Sequence, residues 1–123
     1  MVAVQAEATA PIVRAFDAGA KEVKPVEAGS TIAVGLNVPS GIGHRRVLEI
    51  VRESGGVAVG VSEESIRSTL RTVFSRSICP EGAACLAALD EVVERGLIRS
   101  GDKVVVFNTA SSRKYFDSVE EAV

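Results

Sequence analysis

Two short polar segments hold the side chains that could bind a ligand. Asn108–Ser112 is rich in hydroxyl groups and free N–H groups, and it follows directly on the apolar run Lys103–Phe107. In open parallel sheets, ligands bind beyond the carboxyl ends of the strands. If Lys103–Phe107 is a buried strand, Asn108–Ser112 lies where a ligand site is expected, although an ordinary polar loop explains the segment equally well.

The second segment, Pro80–Ala84, begins a helix and places Glu81 in its first turn. The positive end of the helix dipole stabilises a carboxylate there, so Glu81 does not by itself indicate a site. Ser40–Gly43 also precedes a helix and could bind an anion, but it lacks the third spaced glycine of a dinucleotide-binding loop. A plain turn is therefore the favoured interpretation of Ser40–Gly43.

Neither nucleophilic catalysis nor a metal site is indicated. His44 is the only histidine and adjoins Arg45 and Arg46, with no serine or cysteine motif to partner it, so a solvent-facing side chain is favoured. Cys79 and Cys85, with a single histidine, do not match the ligand spacing of a metal site. We expect both cysteines to be small core residues.

The composition limits the class of protein. The 123 residues are 46% apolar and 4% aromatic, with a net charge of −2. The apolar fraction excludes a disordered chain, and the lack of basic runs and stacking aromatics argues against nucleic-acid binding. No apolar stretch reaches the length of a membrane span, and the first residues lack the basic start of a signal peptide. We expect a cytoplasmic protein with one domain over residues 1–123.

The hydrophobic pattern alternates between strands and helices. The predicted elements, in chain order, are a strand at Val2–Glu7, a helix at about 11–18, a helix at His44–Ser54, a strand at Val57–Val61, a helix from Ser62, a helix from Pro80 to Gly96 and a strand at Lys103–Phe107. The helix from Ser62 has the clearest apolar face, formed by Ile66, Leu70, Val73 and Phe74. Thr31–Val38 fits either a strand or a short buried helix.

This order predicts an α/β fold. Strands separated by helices need crossover connections, which favour parallel pairing. We therefore expect a small, mostly parallel three-stranded sheet with helices on both faces. Because so few strands carry such apolar sequences, something else is expected to cover or extend the sheet.

Five segments match, in order, the motifs of one enzyme family. They are Val2–Glu7 with Ala10–Phe16, Thr31–Pro39 (family pattern T-I-A-x-G-L-x-V-P), Arg52–Ser62 (R-E-S-G-G-x-A-V-x-V-S), Pro80–Ala84 (P-E-G-A-A) and Val105–Tyr115 (V-V-x-F-N-T-G-S-G-x-K-Y). The chain thus resembles the C-terminal part of threonine synthase, a pyridoxal-phosphate (PLP) enzyme of fold type II in the tryptophan-synthase-β superfamily. The resemblance covers nearly the whole chain.

The resemblance implies a fold and a set of site residues. The chain would form part of the large domain of a fold-type-II enzyme. The family's N-T-G-S-G threonine, Thr109 here, hydrogen-bonds the pyridine nitrogen of PLP, and a neutral hydroxyl suits an unprotonated ring. Ala33 and Gly35 would lie near the cofactor ring, and Glu81 would lie near the site at a helix start. Threonine synthases convert O-phosphohomoserine and water to threonine and phosphate.

The chain also departs from the family pattern. Ala110 and Ser112 stand where the family has glycines, and a β-carbon there could crowd the ring or forbid a positive φ. The family's Schiff-base lysine and glycine-rich phosphate loop belong to its N-terminal half. None of the four lysines here has the sequence context of that residue; they are Lys21, Lys24, Lys103 and Lys114. PLP catalysis needs the lysine, the phosphate anchor and the ring-tuning group together.

Three functional hypotheses follow. In the first, the chain is a threonine-synthase-like segment, truncated or one half of a split enzyme, that is inactive alone and does not bind PLP by itself. In the second, it is a stand-alone small-molecule-binding or regulatory module that reuses the pocket. In the third, the exposed sheet edge and apolar surface are covered by a homodimer contact or by another partner.

Overall fold

The structure is a computed structural model that describes residues 1–73 and 77–115. In these ranges the elements are β1 (Val2–Ala6), a 3₁₀ turn (Glu7–Thr9), α1 (Pro11–Asp17), a 3₁₀ turn (Val34–Leu36), α2 (His44–Glu53), β2 (Val57–Val61), α3 (Glu63–Val73), α4 (Pro80–Ala87), α5 (Leu89–Glu94) and a 3₁₀ turn (Ser112–Tyr115). The α/β class is confirmed. Phe74, predicted on the apolar face of α3, lies outside the described residues.

The sheet is parallel, as predicted, but it has two strands and not three. β1 and β2 pair in register from Val2 opposite Val57 to Ala6 opposite Val61. Parallel neighbours need a long crossover connection. Here that connection runs through α1, the 3₁₀ turn at Val34–Leu36 and α2. Thr31–Val38, which the sequence left open between strand and helix, is a loop around that turn.

The predicted third strand is the main correction to the fold. Residues 103–107 make no strand pairing with any described residue, and Val105 and Phe107 are 80% and 69% exposed. Valine-rich composition favours an extended backbone, but a strand forms only where a neighbouring edge supplies hydrogen-bond partners. Residues 103–107 are therefore neither a strand nor buried, although their apolar, valine-rich composition is typical of a buried strand.

α1 and α2 cover one face of the sheet. A β-carbon on Gly60 of β2 would point toward Val13 of α1, which places that helix on this face. Arg52 of α2 donates hydrogen bonds to the carbonyls of Ala15 and Ala20, at 3.3 and 2.7 Å, and so closes the end of α1. These contacts hold the crossover connection against the strands.

The other face of β2 carries the main core. Alternate residues of a strand point to opposite faces, so Val59 and Val61 point away from α1. They join a buried cluster with residues of β1, the loop after α1, α3 and the α4–α5 region: Ala6, Ile32, Ala33, Ile66, Leu70, Ala83, Ala84, Ala88 and Val92. Helices thus lie on both faces of the sheet, as predicted. Within residues 1–73 and 77–115, no helix is long and apolar enough to cross a membrane.

The two cysteines differ in their surroundings. Cys79 has no exposed surface, whereas Cys85 of α4 is half-buried. Burial raises the pKa of the Cys85 thiol, and the nearby Cys79 and Glu81 add to the effect. Cys85 is therefore reachable by a reagent, although less of it is thiolate at neutral pH than for an ordinary cysteine.

Alkylation of the folded chain should accordingly modify Cys85 before Cys79. The rate of modification by iodoacetamide should still rise with pH above about pH 9.5, where a free thiol of pKa about 8.5 is already about 90% thiolate. Peptide mass spectrometry at a series of pH values measures both outcomes, with Cys85→Ser as the control. If the alkylation rate of Cys85 stopped rising at the same pH as the rate of a free thiol, the raised pKa described for Cys85 would be contradicted.

Candidate functional site

The loop after α1 crosses the carboxyl ends of both strands. Thr9, which follows β1, accepts a hydrogen bond from the Gly29 amide at 2.9 Å through its hydroxyl oxygen and donates one to Asn37 at 2.7 Å. Glu63, which follows β2, accepts one from the Ile32 amide at 3.1 Å. The residues that follow the strands therefore hold this loop at the edge of the sheet where α/β proteins bind ligands.

Glu81 joins this loop to the C-terminal segment. The side chain is 7% exposed, and its Oε1 accepts hydrogen bonds from the Gly35 amide at 2.8 Å and the Tyr115 hydroxyl at 3.1 Å. Burial raises the pKa of Tyr115, and the Glu81 contact raises it further, so the phenol stays a donor. Glu81 Oε2 is buried without a hydrogen-bond partner in the described part of the chain.

The close approach of Glu81 requires a glycine in the loop. A β-carbon on Gly35 would lie 2.8 Å from Glu81 Oε1. That distance is well inside van der Waals contact, so a side chain there would push the carboxylate away. The pairing of Gly35 with Glu81 is thus a steric as well as a hydrogen-bonding fit.

Asn108 ties the end of the C-terminal apolar run to the start of α4. Its Oδ1 accepts hydrogen bonds from the Cys79 amide at 3.0 Å and the Cys79 thiol at 3.1 Å. Cys79 in turn caps α4, because its sulfur accepts a hydrogen bond from the Gly82 amide at 3.4 Å. A β-carbon on Gly82 would lie 2.5 Å from Asn108 Oδ1, so a side chain there would displace the Asn108 amide from its contact with Cys79.

The structure brings some of the expected site residues together. Gly35 and Glu81 are in direct contact, and Thr109 is exposed beside the anchored Asn108. Ala33 has no exposed surface and belongs to the core, so its methyl group supports the loop from below. His44 begins α2 and is partly exposed, and no described hydrogen bond joins its side chain to these residues.

Two contributors were not singled out from the sequence. Asn108 and Tyr115 stood only within larger segments, and their contacts with Cys79 and Glu81 span 29 and 34 residues along the chain. The position of Asn108 in the sequence is the signal that could have identified it. Asn108 is the first polar residue after an apolar run, where a residue that binds a ligand or anchors the end of a strand is expected.

Comparison with known proteins decides the family. The family model for pyridoxal-phosphate dependent enzymes matches residues 1–110. The chain belongs to this family. It is 32% identical to the threonine synthase of Methanosarcina acetivorans over 112 residues, which cover 89% of the chain and 28% of that protein. It is 27% identical to the threonine synthase of Methanocaldococcus jannaschii, covering 99% of the chain and 31% of that protein.

Solved structures of this PLP-dependent family share the fold. Threonine synthase from Escherichia coli superposes with a TM-score of 0.74 at 20% identity, over 98% of this chain and 28% of that one. The T.th. threonine deaminase gives a TM-score of 0.57 at 33% identity, over 78% of this chain and 34% of that one. The chain therefore spans less than a third of the length of the threonine synthases that it matches.

Two features of this edge bear on a bound ligand. Thr109 is exposed, and Glu81 Oε2 is buried without a hydrogen-bond partner among the described residues. Among the described residues other than glycine, only Ser77 has a positive φ. Ala110 and Ser112 thus hold the loop without backbone strain although they stand where threonine synthases have glycine.

Proposed function

We propose that this chain supplies the ring side of the PLP site in a threonine-synthase-like enzyme. The reaction would be the conversion of O-phosphohomoserine and water to threonine and phosphate, which the similarity to threonine synthases suggests. One observation carries the proposal. Gly35, Glu81 and Tyr115 lie in three of the segments that resemble those enzymes, and Glu81 Oε1 joins the three segments by accepting hydrogen bonds from the other two residues.

Each residue has a distinct part in the proposal. Thr109 donates its hydroxyl hydrogen to the pyridine nitrogen, and Asn108 fixes the backbone that presents Thr109. Glu81 positions the loop at Gly35 and the phenol of Tyr115. PLP, when bound, supplies an electron sink for the substrate, and a neutral hydroxyl on its nitrogen makes that sink weaker than a carboxylate partner does. Thr109 would therefore tune the reaction as well as bind the ring.

The lysine that bonds PLP belongs, in this proposal, to polypeptide outside the 123 residues. All four lysines are solvent-exposed, which is unlike a lysine whose amine is kept neutral by burial. They are Lys21, Lys24, Lys103 and Lys114. The phosphate anchor is assigned to the same outside polypeptide, so residues 1–123 would act as one unit of a larger enzyme and be inactive alone.

The isolated chain should consequently form no specific covalent adduct with PLP. Treatment with PLP and borohydride, followed by peptide mass spectrometry, should show only scattered, substoichiometric modification of the exposed lysines. Bovine serum albumin at the same lysine concentration gives the background level. One modified lysine per chain at a single position would contradict the proposed division of the site.

A fusion protein tests the activity itself. In the fusion, residues 1–123 of this chain replace the matched part of the M. acetivorans threonine synthase. The fusion is incubated with O-phosphohomoserine and PLP, and the threonine and phosphate that form are measured. We expect PLP-dependent formation of both products in equal amounts. A folded fusion that binds PLP but forms neither product would contradict the proposed reaction while leaving the cofactor site standing.

A ligand-binding role without catalysis is the second candidate, and Ala110 and Ser112 favour it. They change two positions of the loop that would face the ring, so the pocket could accept a different small molecule. Ligands that bind only the folded chain raise its Tm. A shift with an amino acid or phosphate compound, but none with PLP, would favour this role over the enzyme.

A further inference from the structure

Thr9, Gly29 and Asn37 form a closed ring of hydrogen bonds at the base of the loop that reaches Glu81. The Thr9 hydroxyl donates to Asn37 Oδ1 at 2.7 Å and accepts from the Gly29 amide at 2.9 Å. The Asn37 side-chain amide donates to the Gly29 carbonyl at 3.0 Å and closes the ring. These three residues are the Thr9 ring. It ties both ends of residues 29–37 to the turn that follows β1.

The Thr9 ring is part of the packed fold. Thr9 has no exposed surface. A β-carbon on Gly29 would lie 2.5 Å from the carbonyl oxygen of Ala8, so the loop backbone packs directly against the residue before Thr9. Breaking one bond of the ring leaves a buried polar group without a partner, which is costly because that group has already lost its hydration. The two ends of residues 29–37 are therefore firmly held together.

The tip of the loop depends on the Thr9 ring for its position. Ile32 and Ala33 are 6% and 0% exposed within the core, whereas Val34 and Gly35, directly after them, are exposed. Packing thus holds the chain before the tip, and the Thr9 ring holds it after the tip through Asn37. The Asn37 backbone amide also donates to the Val34 carbonyl at 3.1 Å. A shift of Asn37 would therefore move the 3₁₀ turn that presents the Gly35 amide.

No residue of the Thr9 ring stands at a position that the family motifs specify. Thr9 lies between two matched segments, and Gly29 precedes the segment Thr31–Pro39. Asn37 occupies an open position of the pattern T-I-A-x-G-L-x-V-P. The resemblance to threonine synthases therefore assigns the Thr9 ring no role, and its role must be argued from its contacts.

We infer that Thr9 and Asn37 are positioning residues, which act on the candidate site by holding the Gly35 amide against Glu81. The inference rests on the proposed function, since the site that Glu81 helps to build is the proposed PLP site. Gly35 engages Glu81 Oε1 at 2.8 Å, and Oε2 has no partner among the described residues. The Thr9 ring thus determines which carboxylate oxygen is left for a ligand.

Amide hydrogen exchange of the 123-residue chain, read for single residues by NMR, tests this coupling without cofactor or activity. Thr9→Val removes the hydroxyl and keeps the shape of the side chain, so it should speed exchange of the Gly35 amide at least about tenfold. Thr9→Ser keeps the hydroxyl and should stay within about threefold of the wild type. Asn37→Ala, at a half-buried position, opens the Thr9 ring at a second point and should also speed the Gly35 amide.

Gln5→Met is the matched control. Gln5 is also buried, and its Oε1 accepts the Ile12 and Val13 amides at 2.8 and 3.1 Å, outside the loop. Like Thr9→Val, this variant removes a buried acceptor and destabilises the whole chain. It should speed exchange at Ile12 and Val13 and leave the Gly35 amide within about twofold of the wild type, because the loop can open without breaking the contacts of Gln5.

The fusion protein tests whether the coupling affects the reaction. At a temperature at which circular dichroism shows every variant folded, Thr9→Val should lower kcat/KM at least about tenfold, since small displacements of a site cost large factors in rate. Thr9→Ser should recover most of the activity, and Gln5→Met should stay within about twofold of the wild type. The absorption spectrum of bound PLP should shift in Thr9→Val and not in Gln5→Met, which a loss of stability alone would not produce.

The outcomes separate this inference from the proposed function. Equal exchange of the Gly35 amide in Thr9→Val and Gln5→Met would overturn the coupling, whatever the fusion does. Faster Gly35 exchange with unchanged kinetics and spectrum in an active fusion would overturn the positioning role and leave the proposed function standing. A fusion that forms no threonine, together with faster Gly35 exchange in Thr9→Val, would contradict the proposed reaction and still support the hold of the Thr9 ring on Gly35.

Discussion

Replacing Gly82 by alanine is expected to destabilise the chain by about 2 kcal/mol, a decrease in Tm of about 8 °C. Alanine gains up to about 1 kcal/mol of helix propensity over glycine. The new β-carbon would, however, lie 2.5 Å from Asn108 Oδ1. Asn108 must then move away from Cys79. It gives up the hydrogen bond from the Cys79 amide, which contributes about 1 kcal/mol, and the weaker one from the Cys79 thiol, so overlap and lost bonds outweigh the gain.

Gly43→Ala is the matched control for Gly82→Ala. Gly43 immediately precedes α2, its φ is −81°, and a β-carbon there would meet no atom within 4 Å. We expect this variant to be within about 0.5 kcal/mol of the wild type. Thermal unfolding followed by circular dichroism measures all three proteins. A Gly82→Ala chain as stable as the wild type would show that Asn108 does not contact α4 as described.

Removing the Thr109 hydroxyl is expected to have the largest effect on activity. In the fusion protein, Thr109→Val should lower kcat/KM at least about tenfold, the loss that corresponds to one hydrogen bond of about 1.4 kcal/mol. Valine has nearly the shape of threonine but cannot donate to the ring nitrogen. Thr109→Ser restores the donor and should recover most of the activity.

The absorption spectrum of bound PLP separates a direct role from a structural one. Thr109 is exposed, so neither variant should change the Tm of the free chain by more than about 2 °C. A direct contact with the ring should shift the spectrum in Thr109→Val and not in Thr109→Ser. Equal activity and equal spectra in both variants would contradict the assignment of Thr109 to the ring nitrogen.

Local patterns predicted most of the elements. The parallel strands at Val2–Ala6 and Val57–Val61 and the helices beginning at Pro11, His44 and Pro80 all carry strong local signals: valine-rich runs, a first-turn proline or an amphipathic face. Gly19 and Gly96, which follow α1 and α5, have the positive φ of 62° and 70° that is common after helix ends. These features depend on a few neighbouring residues, which is why a single sequence shows them.

The errors arose where structure depends on distant partners. Val104–Phe107 has strand composition, but pairing needs an edge, and no described strand lies beside it. The predicted helix from Pro80 to Gly96 is divided into α4 and α5 at Ala88, which is 2% exposed within the core cluster. Ala88 keeps a right-handed helical backbone, with φ of −71° and ψ of −16°, so the division is a one-residue irregularity in the predicted helix.

The sequence could predict which residues belong to the candidate site, but not which of them contact one another. Resemblance to the threonine synthases indicated Gly35, Glu81 and Thr109 as neighbours of the cofactor. The contacts that hold them, from Glu81 to Tyr115 and from Asn108 to Cys79, join residues 34 and 29 positions apart. Such pairings follow from the packed fold, so only the structure shows that Glu81 positions two segments at once.

The most direct measurement of the central claim is the location of the lysine that holds PLP in the fusion protein. After reduction with borohydride, peptide mass spectrometry should find one PLP group per chain, on a lysine of the M. acetivorans segment. Lys21, Lys24, Lys103 and Lys114 should remain unmodified above background. A stoichiometric adduct on any of these four lysines would contradict the claim that residues 1–123 supply only the ring side of the site.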